Sequence, residues 1–209
     1  SLAFYTSSFE EAVVLSYDGM GNDGYTILFH ADPHGLAYVE RNPIRFGQSY
    51  NNLGYIVGIQ PDSSGSTAGK TMGLAGYGQV RPEWLPYART YVQGYRKLPP
   101  PADAGPIPGS LHRINSIGLA DIPELQPFVS LVPAPFPGGL WGRLGRTIGR
   151  RRIPQLRLPG PDVPVAQDLV RTVQSAWTDF VLELLAQQRH LSPHLCVVGG
   201  CALNGITNY

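Results

Sequence analysis

The residues best placed to do chemistry are glycines and one carboxylate at the ends of apolar runs. Toward the end of the chain, Leu195-Cys-Val-Val-Gly-Gly-Cys-Ala-Leu-Asn204 carries an apolar run straight into Gly199-Gly200. The run, with two β-branched residues, reads as a strand covered on both faces. The glycines let the backbone turn sharply and approach a ligand with no Cβ in the way. If the chain is helical from Ala202 onward, its free N–H groups point at the same spot and favour an anion such as a nucleotide phosphate. An ordinary strand-to-helix turn accounts for the same residues, because glycine pairs are common punctuation. Asn204, on the first turn after the glycines, either hydrogen-bonds a phosphate or caps the turn.

Two further glycine clusters precede this one. Ala12 to Tyr17 reads as a strand, Asp18-Gly-Met-Gly-Asn-Asp-Gly24 as a turn and Tyr25 to Phe29 as the returning strand, which together make a hairpin. Asn22-Asp23-Gly24 explains the turn by itself. Asp18 is different: a carboxylate at a strand end, beside the amides near Gly19 and Gly21, can hold a cation or orient a phosphate-bound metal. An EF-hand is excluded, since Met20 stands where an oxygen ligand is needed and Asp23 rather than glycine follows Asn22. The third cluster, Gly69-Lys-Thr-Met-Gly-Leu-Ala-Gly-Tyr-Gly78, lacks the glycine and hydroxyl spacing of a phosphate-cradling P-loop. Lys70 therefore reads as a solvated lysine, or as a charge that neutralises a bound anion. His30 with His34 and His190 with His194 have metal-like spacing, but Asp32-Pro-His-Gly35 reads as a turn and Pro193 interrupts the second pair.

The elements that must position these residues fall into three parts. Residues 1–98 hold the hairpin, a strand at Leu36 to Arg41 and a helix at Ser49 to Val57 that buries Tyr50, Leu53, Ile56 and Val57. Residues 99–164, rich in proline and glycine, read as an excursion from the core. Residues 165–209 open with a continuous helical stripe of Ala166, Leu169, Val170, Val173, Trp177, Phe180, Val181, Leu184 and Leu185. Asp168 in the first turn and Arg189 and His190 at the end suit the helix dipole. The expected fold class is mixed α/β, a mixed sheet with packed helices.

The chain has 209 residues, of which 43% are hydrophobic, enough for one sizeable core or two small lobes. A net charge of +1 with 15% charged residues makes no general case for nucleic acid or membrane binding. No run approaches the ~18 apolar residues of a membrane span. Cys196 and Cys201 flank the glycine pair and read as small packing residues. Gly142 to Arg157 contains six arginines and no acidic residue, a solvated basic loop or a surface for a phosphorylated ligand or acidic partner.

In order, Ser7-Ser-Phe-Glu-Glu-Ala-Val-Val-Leu-Ser-Tyr-Asp-Gly-Met-Gly21, Gly69 to Gly78, Ala166-Gln-Asp-Leu-Val-Arg-Thr-Val-Gln174 and Val198-Gly-Gly-Cys-Ala-Leu-Asn204 resemble the O-carbamoyltransferases that modify nodulation factors and antibiotics. The resemblance spans nearly the whole chain. It implies an actin-like, sugar-kinase-like nucleotide-binding fold of the ribonuclease H-like kind. It also implies transfer of carbamoyl from a carbamoyl-adenylate, made from carbamoyl phosphate and ATP, to a small-molecule acceptor hydroxyl in the cytoplasm. Gly19, Gly21, Lys70, Gly199, Gly200 and Asn204 would serve the nucleotide, and Asp18 a divalent metal, iron or another transition metal. The family's histidine-rich motif and its distal acidic motif and second domain are not in this sequence, so by resemblance the chain is an internal piece of a larger enzyme. No general base is identified. A non-catalytic nucleotide-binding or regulatory relative and a sugar-kinase-like phosphotransferase are the alternatives.

Overall fold

A computed structural model of the chain describes residues 2–19, 25–95, 116–133 and 152–208. Three consecutive strands, β1 (Ala12–Ser16), β2 (Thr26–Asp32) and β3 (Gly35–Asn42), form an antiparallel meander. A two-stranded antiparallel ribbon follows, β4 (Val129–Pro133) with β5 (Arg152–Leu156), and then β6 (Leu195–Val198) returns beside β1. β6 runs parallel to β1, giving a mixed sheet in the order β3-β2-β1-β6.

The first hairpin is as expected, with Ala12 opposite Ala31 and Ser16 opposite Ile27. Its turn residues from Met20 to Gly24, Gly21 included, lie outside the described residues. At the second turn the Asp32 carboxylate accepts the amides of His34 (2.8 Å) and Gly35 (3.0 Å), the local bonding that makes aspartate a turn former. His30 lies on β2 opposite Ala37, so His30 and His34 do not converge. Burial differs from the sequence expectation at one strand. β1 is the strand covered on both faces, with Ala12 to Leu15 buried, whereas β6 forms an edge of the sheet and leaves Leu195 41% exposed. A short apolar run indicates a strand but not its place in the sheet, and among the described residues β6 has a strand neighbour on only one side.

Side chains alternate across β1 with the strand period of two. Val13 and Leu15 enter the main core, while Ala12 and Val14 form a small second cluster with Cys196 and Phe4 of the short helix α1 (Leu2–Tyr5). The main core is closed by α2 (Phe46–Ile56), α3 (Ala68–Ala75), α4 (Leu85–Gly94) and α5 (Pro164–Ala186). α2 begins three residues before the expected Ser49 because Phe46, 1% exposed, extends the apolar face of Tyr50 and Leu53 by one turn. Leu119, Ile122, Leu125, Leu156 and Leu158, from the expected excursion, are packed in the same core. Among the described residues, no helix is long and apolar enough to cross a membrane.

α5 opens on Pro164, whose missing N–H costs nothing in a first turn. Its stripe is buried as expected from Ala166 to Leu184, with Phe180 and Leu185 at the margin. The charges expected to suit its dipole do something else. Asp168 lies beyond the first turn, is 7% exposed, and accepts the amide of Gln79 (2.8 Å) together with Nε (2.8 Å) and Nη2 (2.6 Å) of Arg81. The carboxylate is nearly buried and its three donors lie across the fold, so the tertiary tie rather than a helix-end effect, which falls off within the first turn, accounts for its place. Gly78 supports it by lying against the Gln167 carbonyl, where a Cβ would collide. Arg189 and His190 follow the helix, which has no basic residue in its last turn.

Asp168→Ala leaves the Gln79 amide and the half-exposed Arg81 guanidinium without that acceptor, and should cost about 1–3 kcal/mol in urea unfolding. Asp168→Asn, which keeps a carbonyl for the Gln79 amide, should recover part of the loss. Equal stability of all three proteins would show that the tie contributes nothing.

Candidate functional site

Parallel pairing places the C-terminal ends of β1 and β6 side by side, Ser16 opposite Val198. The turns that leave these strands are therefore neighbours. The Tyr17 amide donates to Val198 O (3.0 Å), and the Cys201 amide returns to Tyr17 O (3.4 Å). Gly199 has φ +96°, and a Cβ there would collide with Tyr17 O, so both its conformation and its surroundings call for glycine. A Cβ on Gly200 would lie 2.7 Å from Asp18 Oδ1. Asp18, Gly19, Gly199 and Gly200 are thus brought together. Asp18, Gly199 and Gly200 are exposed, and Asp18 Oδ1 accepts the Gly19 amide (2.6 Å).

The helix expected after the glycine pair is a 3-10 helix of four residues, Gly200–Leu203. So few aligned peptides contribute little dipole. Its Cys201 amide is taken by Tyr17 O and its Ala202 amide by Gly199 O (3.0 Å), so these two are committed within the chain, while Gly199 and Gly200 themselves are exposed. A longer helix reaches the same junction. Gly47, in the first turn of α2, packs so closely that a Cβ would stand 2.6 Å from Gly19 Cα and 2.9 Å from Cys201 Sγ. Gly47 was not singled out by sequence reasoning. A glycine in a helix reads as a propensity penalty, and only the approach of a second backbone explains it.

The remaining expected residues lie elsewhere. Asn204 is buried, and both ends of its amide are engaged within the chain: Nδ2 donates to Gln174 Oε1 (3.0 Å) and Oδ1 accepts the Thr207 amide (3.2 Å). Lys70 lies on α3, exposed, and its Nζ donates to Gln60 O (2.9 Å). It lines an open groove of about 360 Å³ with Gln60, Gly73, Leu74, Tyr77 and Asp162, whose walls include neither Asp18 nor the paired glycines. His190 Nδ1 meets Gln187 O (3.1 Å), and His194 stacks on Phe9 at 4.3 Å. Among the described residues, no three His, Cys, Asp or Glu side chains gather as a metal-binding group. At the junction itself, Asp18 is the carboxylate found among the described residues. The arginine-rich stretch before Arg152 lies outside the described residues.

Neither a family model nor a curated protein matches the chain.

Beneath the junction Tyr17 and Cys201 are buried. Burial, and secondarily the nearby Cys201, pushes the Tyr17 hydroxyl up to about 12, and its oxygen is buried with no hydrogen-bond partner. Burial, then the Asp18 carboxylate, pushes the Cys201 thiol up to about 12 from 9.0, while the Gly47 amide pulls the other way. Cys201 is therefore a protonated packing group rather than a nucleophile. With its acidity lowered by that much, the folded protein at pH 8 should alkylate at Cys201 roughly 10²–10³-fold more slowly than the denatured chain. The rate should climb as pH rises toward 12. Peptide mass mapping after iodoacetamide treatment reads this, and rapid labelling of Cys201 at pH 8 would contradict it.

Proposed function

We propose that this chain carries the nucleotide-phosphate side of an O-carbamoyltransferase of actin-like fold. The observation that carries the reading is the convergence of Asp18-Gly19, Gly47 and Gly199-Gly200 at the C-terminal ends of two adjacent parallel strands. In open α/β sheets this end is where ligands bind, because the turns present backbone amides and the strands no longer cover them. The mixed sheet with its antiparallel meander and parallel return strand supports such a fold.

In this reading the adenylate phosphate rests against the glycine turns. The Gly200 amide faces it, the first turn of α2 approaches from the other side, and the absence of Cβ atoms allows the backbone to come within hydrogen-bond reach. Asp18 orients whatever cation accompanies the phosphate. Bound there, a divalent ion would act as a Lewis acid toward the carbamoyl carbonyl. One carboxylate does not hold a transition metal by itself, which takes three or four ligands in fixed geometry. The roles given to this chain therefore rest on anion binding and orientation. The acceptor is a small molecule bearing a hydroxyl group, carbamoyl phosphate and ATP supply the donor, and the cytoplasm provides both. Lys70, on its separate groove, is assigned to the nucleotide on the sequence resemblance alone.

Asp18→Asn in the intact enzyme should lower ATP-dependent transfer of labelled carbamoyl from carbamoyl phosphate by about a hundredfold or more, as when a preorganised electrostatic group is removed. Its circular dichroism and melting temperature should stay close to those of the unaltered protein, since Asp18 is exposed. Unchanged turnover would remove Asp18 from the mechanism. ATP consumption independent of carbamoyl phosphate would point to phosphoryl transfer instead.

A further inference from the structure

One face of α5 touches all three backbone segments that meet at the candidate site. Gln174, Trp177 and Thr178 stand at i, i+3 and i+4, so they share that face. Trp177, 1% exposed, packs its indole against Tyr17 at 5.9 Å and against Phe46 at 5.4 Å, and its Nε1 donates to Phe46 O (3.2 Å). Tyr17 immediately precedes Asp18, and Phe46 immediately precedes Gly47. Gln174, also 1% exposed, accepts on Oε1 from Tyr50 OH (2.6 Å) and Asn204 Nδ2 (3.0 Å). Its Nε2 donates to Thr178 Oγ1 (3.0 Å) and Thr207 Oγ1 (3.0 Å). Both acceptor sites and both donors of this amide are in use. Asn204 closes the segment that begins at Gly199.

We propose that Gln174 and Trp177 are positioning residues for the candidate site, holding Asp18, Gly47 and Gly199-Gly200 at fixed spacing from behind. The anion-binding part rests on the reading given under Proposed function. The cost of burying an amide favours that role. An apolar side chain of similar volume would fill position 174 without needing any partner, whereas a buried amide is tolerated only where each of its groups is paired. At Gln174 those pairs go to α2 through Tyr50 and to the glycine-turn segment through Asn204 and Thr207. Trp177 adds the third segment through Tyr17. A shift of α5 relative to the sheet would therefore move two walls of the site together. The hydrogen bonds give the arrangement direction that packing alone does not supply.

The test uses the intact protein with Gln174→Met and Gln174→Glu. Amide hydrogen exchange is followed by mass spectrometry, and ATP binding by calorimetry. In Gln174→Met the peptide covering 199–208 should exchange about tenfold faster or more, as expected when a buried network loses its centre, while β2 and β3 keep their rates. The dissociation constant for ATP should rise by a similar factor. Gln174→Glu, which burial favours in its protonated form, keeps a carbonyl acceptor for Tyr50 and Asn204 and a hydroxyl donor toward Thr178 or Thr207, and should restore both readouts in part. Unchanged exchange at 199–208 in Gln174→Met, or an equal acceleration throughout the fold, would overturn the proposal. If Gln174→Met does not fold, Tyr50→Phe, which removes one donor, is read by the same criteria. Failure of the unaltered protein to bind ATP would overturn the nucleotide reading, and the exchange data would then decide the positioning claim by themselves.

Discussion

The parallel pairing of β1 with β6 is the constraint on which the candidate site depends. It sends two chain segments out of the same end of the sheet, one strand spacing apart, and the backbone must turn away at both places without a collision. The solution is close backbone packing. Tyr17 O accepts the Cys201 amide, and Gly199 takes a positive φ with no room for a Cβ. Any side chain there would force the two turns apart, at a cost on the order of the 1–3 kcal/mol of an overpacked site before the strain of the left-handed backbone is added. Gly47 repeats the device from the side of α2. The site is assembled from backbone approaching backbone, which is the condition for presenting amides rather than side chains to a ligand.

Much of this frame was legible in the sequence because it rests on periodicity. β1, β2 and β3 follow from alternating or continuous apolar runs between turn residues, and the Asp32-Pro33-His34-Gly35 turn from its own local hydrogen bonding. The stripe from Ala166 to Leu184 gave α5 and its buried face. The turn glycines at 199 and 200 were legible for the same reason, since a glycine pair at the end of an apolar run has few other uses. What could not be read was which strand is central. That depends on the partner that comes back from about 180 residues away, and no local pattern encodes the return.

The helical glycines were illegible for a related reason. Gly69 and Gly73 lower the intrinsic helix propensity of α3 by roughly 1 kcal/mol each relative to alanine, yet the segment is helical because tertiary packing supplies more than that. Gly54 shows what is gained: a Cβ there would run into Thr67 Oγ1, so its absence lets the start of α3 approach α2. Polar residues inside an apolar stripe pose the same difficulty. Asp168 and Gln174 lie on α5 among core residues, and a pattern of hydrophobic positions passes over both. Their partners, Arg81 and Gln79 for one and Tyr50 and Asn204 for the other, lie 30 to about 125 residues away. A buried polar side chain announces that partners exist, but only the folded chain says which.

Electrostatics limits what the junction can bind. An anion held by the Gly200 amide would stand close to Asp18 Oδ1, since that oxygen is 2.7 Å from where a Gly200 Cβ would be. Two unit negative charges 4 Å apart in a surface environment repel by about 4 kcal/mol. The four-residue 3-10 helix offsets little of that, and the half-charge at the start of α2 gives at most ~2 kcal/mol in a partly buried setting. Lys70 does not supply the difference, because its ammonium is held to Gln60 O in a separate groove. A phosphate at the glycine turns and an ionised Asp18 are therefore compatible when a positive charge lies between them. By the same argument, neutral oxygen-rich ligands meet no such penalty. Were the junction to hold an anion, the carboxylate would favour one that arrives with its counter-charge over one that arrives alone.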